Sequence, residues 1–195
     1  MEADESFRRV GGWAAYLVAA FSLLYAAVYL GFVRTDATNA TASAFAWALI
    51  AAGALCAALA TAALASYIGG AAATFFAAFG VAYSLLAATH GVFAAIADAQ
   101  GFADLELSPT DPRGLATFGL AGVWLLMAGL RLRVHPGLRP VYSQLAIAGG
   151  VDLVLLFVAT VVGSTPATLV TGGLASVFLV PLFWLMTGRL LTARS

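Results

Sequence analysis

The sequence predicts an all-α protein, a polytopic transmembrane bundle of six helices forming one domain over residues 1–195. Three observations carry that expectation. Hydrophobic residues make up 63% of the chain and charged residues 9%, far from the roughly half-apolar, quarter-charged mix of a soluble domain. The apolar residues fall into long runs separated by short polar breaks, and at about 20 residues per crossing this length holds about six crossings with little left over. Arginines gather at alternate breaks, as the positive-inside rule requires of a chain that crosses repeatedly.

The first span, about 10–33, follows Arg8 and Arg9 and ends at Arg34-Thr35-Asp36, with Trp13 and Tyr29 near its two edges, where amphipathic rings favour the headgroup level. Glu2, Asp4 and Glu5 precede that arginine pair. A secretory signal would be basic first and end at a small-residue cleavage site, so this segment reads as a retained helix. The second span, about 41–65, is almost wholly small or aliphatic and suits close backbone approach. The break Ser66-Tyr67-Ile68-Gly69-Gly70 is short and uncharged, which makes the second and third spans an antiparallel hairpin.

The third span, about 71–97, holds Tyr83, Ser84, Thr89 and His90. The longest loop follows, with Asp98, Asp104, Glu106 and Asp111 against Arg113. Thr110 or Asp111 can cap a helix whose first turn contains Pro112, because proline has no N–H to leave unpaired there. The fourth span, about 114–132, the fifth, about 140–163, and the sixth, about 167–191, are divided by an Arg131-Arg133-His135-Arg139 loop and by Gly163-Ser164-Thr165-Pro166. Pro181 lies inside the last span. It removes the hydrogen bond to the Val177 carbonyl and predicts a helix kink.

Charge sets the expected orientation and excludes some partners. A cytoplasmic N-terminus puts Arg8, Arg9, Arg131, Arg133, Arg139, Arg189 and Arg194 inside and leaves only Arg34 and Arg113 outside. Six spans then bring the C-terminus back to the cytoplasm. The expected location is the cell membrane, multi-pass, with the acidic loop outside. Net charge is zero, with no lysine, which excludes a polybasic patch for nucleic acid. Cys56 is the lone cysteine, so neither an intrachain disulfide nor a cysteine metal site can form. Three spans plus three would permit an inverted repeat. The visible internal likeness, AAYLVAAFSLL against AAFGVAYSLL, joins the first and third spans, which such a repeat would not relate.

Polar residues at membrane depth carry the functional signal. Asp152 falls near the middle of the fifth span, where a carboxylate costs about 2.5 to 3.5 kcal/mol on insertion scales. Ala148, Gly149 and Leu156 share its helical face by spacing. A protonatable or cation-coordinating site is one reading, and a neutral or hydrogen-bonded acid holding the bundle together is the plainer one. His90 and Asp152 differ in expected depth by only about 5 Å, and Tyr83 lies two turns from His90 on the same face. A Tyr83-His90-Asp152 proton line is therefore geometrically possible, against a structural histidine bonded to a carbonyl or hydroxyl. His90 and His135 fall at opposite depths and do not form a bis-histidine haem site. The acids of the long loop read as a solvated surface, not a metal site, and Arg113 pairs within its loop or snorkels to the headgroups. No nucleophile motif or glycine-rich phosphate loop is present.

The His90-Gly91 pair, the run Asp111-Pro112-Arg113-Gly114-Leu115-Ala116-Thr117-Phe118-Gly119, and Pro181-Leu182-Phe183-Trp184 before Gly188-Arg189 together resemble a family of uncharacterised bacterial and archaeal six-helix integral membrane proteins, of the domain-of-unknown-function type. The resemblance implies a layout and no catalysis. It also implies a carboxylate within a few residues of the histidine, whereas here Val92 to Ala97 are apolar and Asp98 is the first. The leading expectation is a non-enzymatic accessory or structural membrane subunit with no cofactor, packing in a homo-oligomer or against a larger membrane complex. A small proton-coupled carrier using Asp152 and His90 is the alternative, and a membrane enzyme acting on a lipid or quinone is a third reading.

Overall fold

A computed structural model describes residues 2–102, 117–135 and 138–193. Every regular element among them is helical, as hydrocarbon demands of a chain that must satisfy its own amides and carbonyls. α1 runs Glu2–Val28 and is continued by a π turn, Tyr29–Val33. α2 covers Ala40–Ile68, α3 Ala71–Gln100, α4 Phe118–Arg133 and α5 Pro140–Val161. α6 covers Thr165–Thr192, interrupted by a π turn at Ala175–Leu179.

Helix ends follow local chemistry. Asn39 caps α2 by accepting from the Ala42 amide at 3.0 Å, satisfying one of the donors a helix start leaves open. α2 does not stop at Ser66, as the sequence suggested. Ser66, Tyr67 and Ile68 are compatible with helix, and the reversal is made by Gly69 and Gly70 alone, at φ 72° and 84°, a backbone region that favours glycine. α5 and α6 each begin with proline in their first turn. The expected Thr110 or Asp111 cap, with Pro112, Arg113, Asp104 and Glu106, lies outside the described residues.

Five of these helices are long and apolar enough to cross a membrane. The described part of α4 is 16 residues, and residues 114–116 of the expected fourth span lie outside the described residues.

The helices form a ring in chain order, with α6 closing onto α1 and α2 drawn inward to touch α4 and α6 as well. α1 and α6 are antiparallel: Gly12 approaches Leu191 and Thr192, and Gly188 faces the Tyr16 ring. The N-terminal end of α1 and the C-terminal end of α6 therefore share one end of the bundle. Small residues set the spacing, as they do where apolar lipid supplies no drive for association. Gly11 meets Ala63 between α1 and α2, and a side chain on Gly80 would lie 2.7 Å from the Trp124 indole. The main core, including Leu64, Trp124, Leu132, Leu156 and Phe183, is buried between these contacts. Large exposed side chains such as Trp13, Phe75, Val162 and Val170 point outward.

Candidate functional site

Asp152 is defined by how α5 is rotated. Gly122 and Gly129 of α4 pack on Gly150, Val154, Ile147 and Ser143, and Gly119 on Phe157, so those residues are the α4-facing stripe of α5. Asp152 is two residues, about 200° of helical rotation, from both Gly150 and Val154. Its side chain is turned away from that glycine stripe. A side chain added at Gly149, three residues before it, would lie 3.7 Å from Leu125 of α4 and 3.9 Å from Leu179 of α6, and one added at Gly172 of α6 would lie 3.9 Å from Leu156, four residues after it. Halfway between those contacts, Asp152 is level with the start of the π turn. It is 6% exposed, and its Oδ2 is enclosed with no hydrogen-bond partner among the described residues. Of the residues expected on its face, Gly149 and Leu156 are buried, whereas Ala148 is exposed.

The π turn has an identifiable cause. The Val180 amide reaches back to the Ala175 carbonyl, one residue further than an α-helix allows. In this register the Ser176 carbonyl loses Val180, and the residue that would replace it is Pro181, which has no N–H. The sequence pointed to the Val177 carbonyl as the group that proline deprives, and in this register the Ser176 carbonyl is left without a backbone donor as well. Ser22 of α1 meets it, donating from Oγ at 3.0 Å, while the Ser176 hydroxyl donates to the Gly172 carbonyl at 2.7 Å. Asp152 therefore lies level with two serines and a rearranged stretch of backbone.

His90 is elsewhere. It is buried, with its ring edge-on to Trp47 of α2 at 5.0 Å. Its neighbour Gly91 lies against the Trp47 carbonyl and the Ala51 amide. The His90 Nε2 has no partner among the described residues. No described Cα of α3 comes within 8 Å of one of α5, because α4 stands between them. Tyr83 packs on Phe118 at the start of α4, at 5.1 Å. The expected Tyr83-His90-Asp152 line is not assembled: His90 packs on Trp47 of α2, Tyr83 on Phe118 of α4, and Asp152 is on α5, which α4 separates from α3. His135 stacks on Tyr67 at 5.1 Å, so the two histidines flank positions 20 residues apart on α2, about 30 Å along the helix.

Asp98, near the end of α3, also has a buried unpartnered oxygen. It is eight residues, about 12 Å of helical rise, beyond His90. Asp111 and Arg113 lie outside the described residues.

Two polar features had no signal in the sequence patterns. The Tyr142 hydroxyl sits 2.7 Å from Thr187 Oγ1, and Thr187 donates its own proton to the Phe183 carbonyl at 2.9 Å. Tyr142 must therefore be the donor between them, which joins α5 to α6. Trp124 buries its indole Nε1 with no partner among the described residues, its ring laid over Gly80 and against Thr61. Apolar periodicity cannot reveal either, because each needs two or three helices to be docked first.

The fold and these groups define a class: a helical membrane protein with five helices long and apolar enough to cross a membrane and, among the described residues, one buried, incompletely satisfied carboxylate at mid-helix. No protein-family model matches the chain, and no curated protein or solved structure is significantly similar to it. The likeness of the central stretch to uncharacterised six-helix proteins rests on the sequence pattern alone.

Proposed function

We propose that this is a multi-pass protein of the cell membrane, with both termini cytoplasmic, that exchanges a proton or binds a small cation at Asp152 as part of a carrier activity. The orientation is supported by the seven-to-two arginine split and by the shared end of α1 and α6. The function is carried by one observation: a mid-helix carboxylate, 94% buried, keeps an unpartnered oxygen level with a π turn. Acids kept inside membranes at this cost serve proton and ion pathways as a rule, and π turns recur at functional sites. This reading keeps Asp152 and drops His90 as its relay partner. Its supporting groups are Ser22 and Ser176.

The test is proton flux into proteoliposomes containing a trapped pH dye, under an imposed pH gradient. The purified protein should acidify the lumen faster than protein-free vesicles do. Asp152→Asn should abolish the difference and Asp152→Glu should restore part of it. Equal rates for the original protein and Asp152→Asn sink the proposal.

A second reading, an accessory subunit in a larger or self-associated complex, is favoured by a different observation. The first part of α6, Thr165–Leu174, packs only on α5 and on its own π turn and contributes no buried residue, and Leu169 and Val170 are exposed. Val170→Cys should then crosslink within native membranes, and an uncrosslinked monomer under oxidant would count against it.

A further inference from the structure

A groove of about 440 Å³ lies where α4 ends and α5 begins, at the end of the bundle that holds both chain termini. Its walls include Leu132, Leu138 and Ile147, and its polar lining includes Arg133, Ser143 and Gln144. The α4 stripe that packs on α5 runs Gly119, Gly122, Leu126, Gly129, and one further turn along that stripe is Arg133. Packing thus aims this guanidinium at the α5 side. Arg131 and Arg139 are near it in the chain and all three are exposed, but the Arg131 guanidinium lies by Gly70 at the α2–α3 turn. None of the three guanidinium groups has a hydrogen bond or ion pair with another described residue. Ser143 is already committed to the Pro140 carbonyl, which leaves Arg133 and Gln144 as the donors facing the groove. α5 starts there without a side-chain cap, so the positive end of its dipole adds to the same field.

We propose that this groove holds one anionic phospholipid. Its phosphodiester would sit on Arg133 and Gln144, and an acyl chain would lie along Leu132, Leu138 and Ile147. A guanidinium fork matches two phosphate oxygens, and basic pockets between helices at the cytoplasmic edge are the places where such headgroups are held. The combination of a cation that has no partner among the described residues with an apolar wall matches a lipid better than a free anion, which would gain nothing from the wall. The proposal stands independently of Asp152.

Native mass spectrometry tests it directly. The protein is extracted in mild detergent and equilibrated with equal amounts of phosphatidylglycerol and phosphatidylcholine of identical acyl chains. One phosphatidylglycerol should remain bound in preference to phosphatidylcholine. Arg133→Gln should lower that occupancy about tenfold, the scale of a lost charge-assisted hydrogen bond, and Gln144→Ala should lower it less. Arg34→Gln, at the opposite end of α1, should leave it unchanged and so controls for general charge. Inorganic phosphate at the same concentration should fail to displace the lipid. Equal retention of the two lipids, undiminished retention in Arg133→Gln, or complete displacement by inorganic phosphate would each overturn the assignment.

Discussion

The hydroxyl of Ser22 on α1 donates to the backbone carbonyl of Ser176 on α6, and it does so because Pro181, five residues further along α6, has no hydrogen to offer. In hydrocarbon an orphaned carbonyl finds no water, so the partner must come from another helix. Ser22→Ala should destabilise the fold by about 1 kcal/mol, within the range seen for interhelical hydrogen bonds in membranes. Pro181→Ala supplies the missing N–H. The cost of Ser22→Ala should therefore shrink when measured on the Pro181→Ala background, in reversible unfolding from mixed micelles. An equal cost on both backgrounds would mean that the two residues are not coupled.

Tyr142 and Thr187 should respond unequally to substitution. Tyr142→Phe leaves the Thr187 hydroxyl still bonded to the Phe183 carbonyl and should cost well under about 1 kcal/mol. Thr187→Val keeps the shape but leaves a buried Tyr142 hydroxyl with no acceptor, which should cost about 1 to 3 kcal/mol. The same unfolding assay distinguishes them. If Tyr142→Phe proves the more costly, the donor assignment is reversed.

The spans were legible because membrane solvent leaves a chain few options, and the run lengths of apolar residues report them directly. Rotation about each helix axis was not. In α5, Gly149 and Gly150 are adjacent, and each suits a close helix contact. Docking sets Gly150 against the α4 backbone and leaves Gly149 in ordinary contact with both Leu125 of α4 and Leu179 of α6, and that choice fixes how Asp152 is rotated. Ala148 looked equivalent to Gly149 by spacing yet faces outward. Pro181 announced a break in α6, but neither the π turn before it nor the Ser22 hydroxyl that meets the Ser176 carbonyl is visible in the local sequence. The turn after α2 was overestimated because Ser66, Tyr67 and Ile68 carry no helix-stopping chemistry. Gly69 and Gly70 do.

The loop between α1 and α2 offers a pH-dependent prediction outside the membrane. The Thr38 hydroxyl donates to Asp36 Oδ1 at 2.6 Å and the Thr38 amide to the same oxygen at 3.0 Å. Those bonds, the hydroxyl's first, hold the Asp36 carboxyl below its ordinary value of 3.8, because both favour the charged form. A depressed folded value means the contribution is complete above the ordinary carboxylate range and is lost as pH falls through the folded value. The Asp36 carbon resonance should therefore titrate below 3.8 in micelles, and Thr38→Val should move the midpoint upward. A midpoint unmoved by Thr38→Val would remove the hydroxyl as the cause.

The closest backbone approach between α4 and α5 supplies the sharpest stability contrast. A methyl group on Gly150 would lie 2.6 Å from the Leu126 amide nitrogen and 2.9 Å from the Gly122 carbonyl oxygen. Both are backbone atoms of the facing helix, so no side-chain rotation can relieve the overlap and the two helices must separate. Separation would also open the reciprocal contacts of Gly122 with Val154, so the penalty is shared along the interface. Gly150→Ala should cost about 2 kcal/mol or more, the range of overpacking in a tight core. Gly173, in α6, has nothing within 4 Å of the same added methyl, and alanine there should change stability by no more than about 0.5 kcal/mol. Both are helical glycines in spans rich in small residues, so composition and propensity predict equal effects. Equal losses in the two variants would therefore refute the close α4–α5 packing that turns Asp152 off the α4-facing stripe.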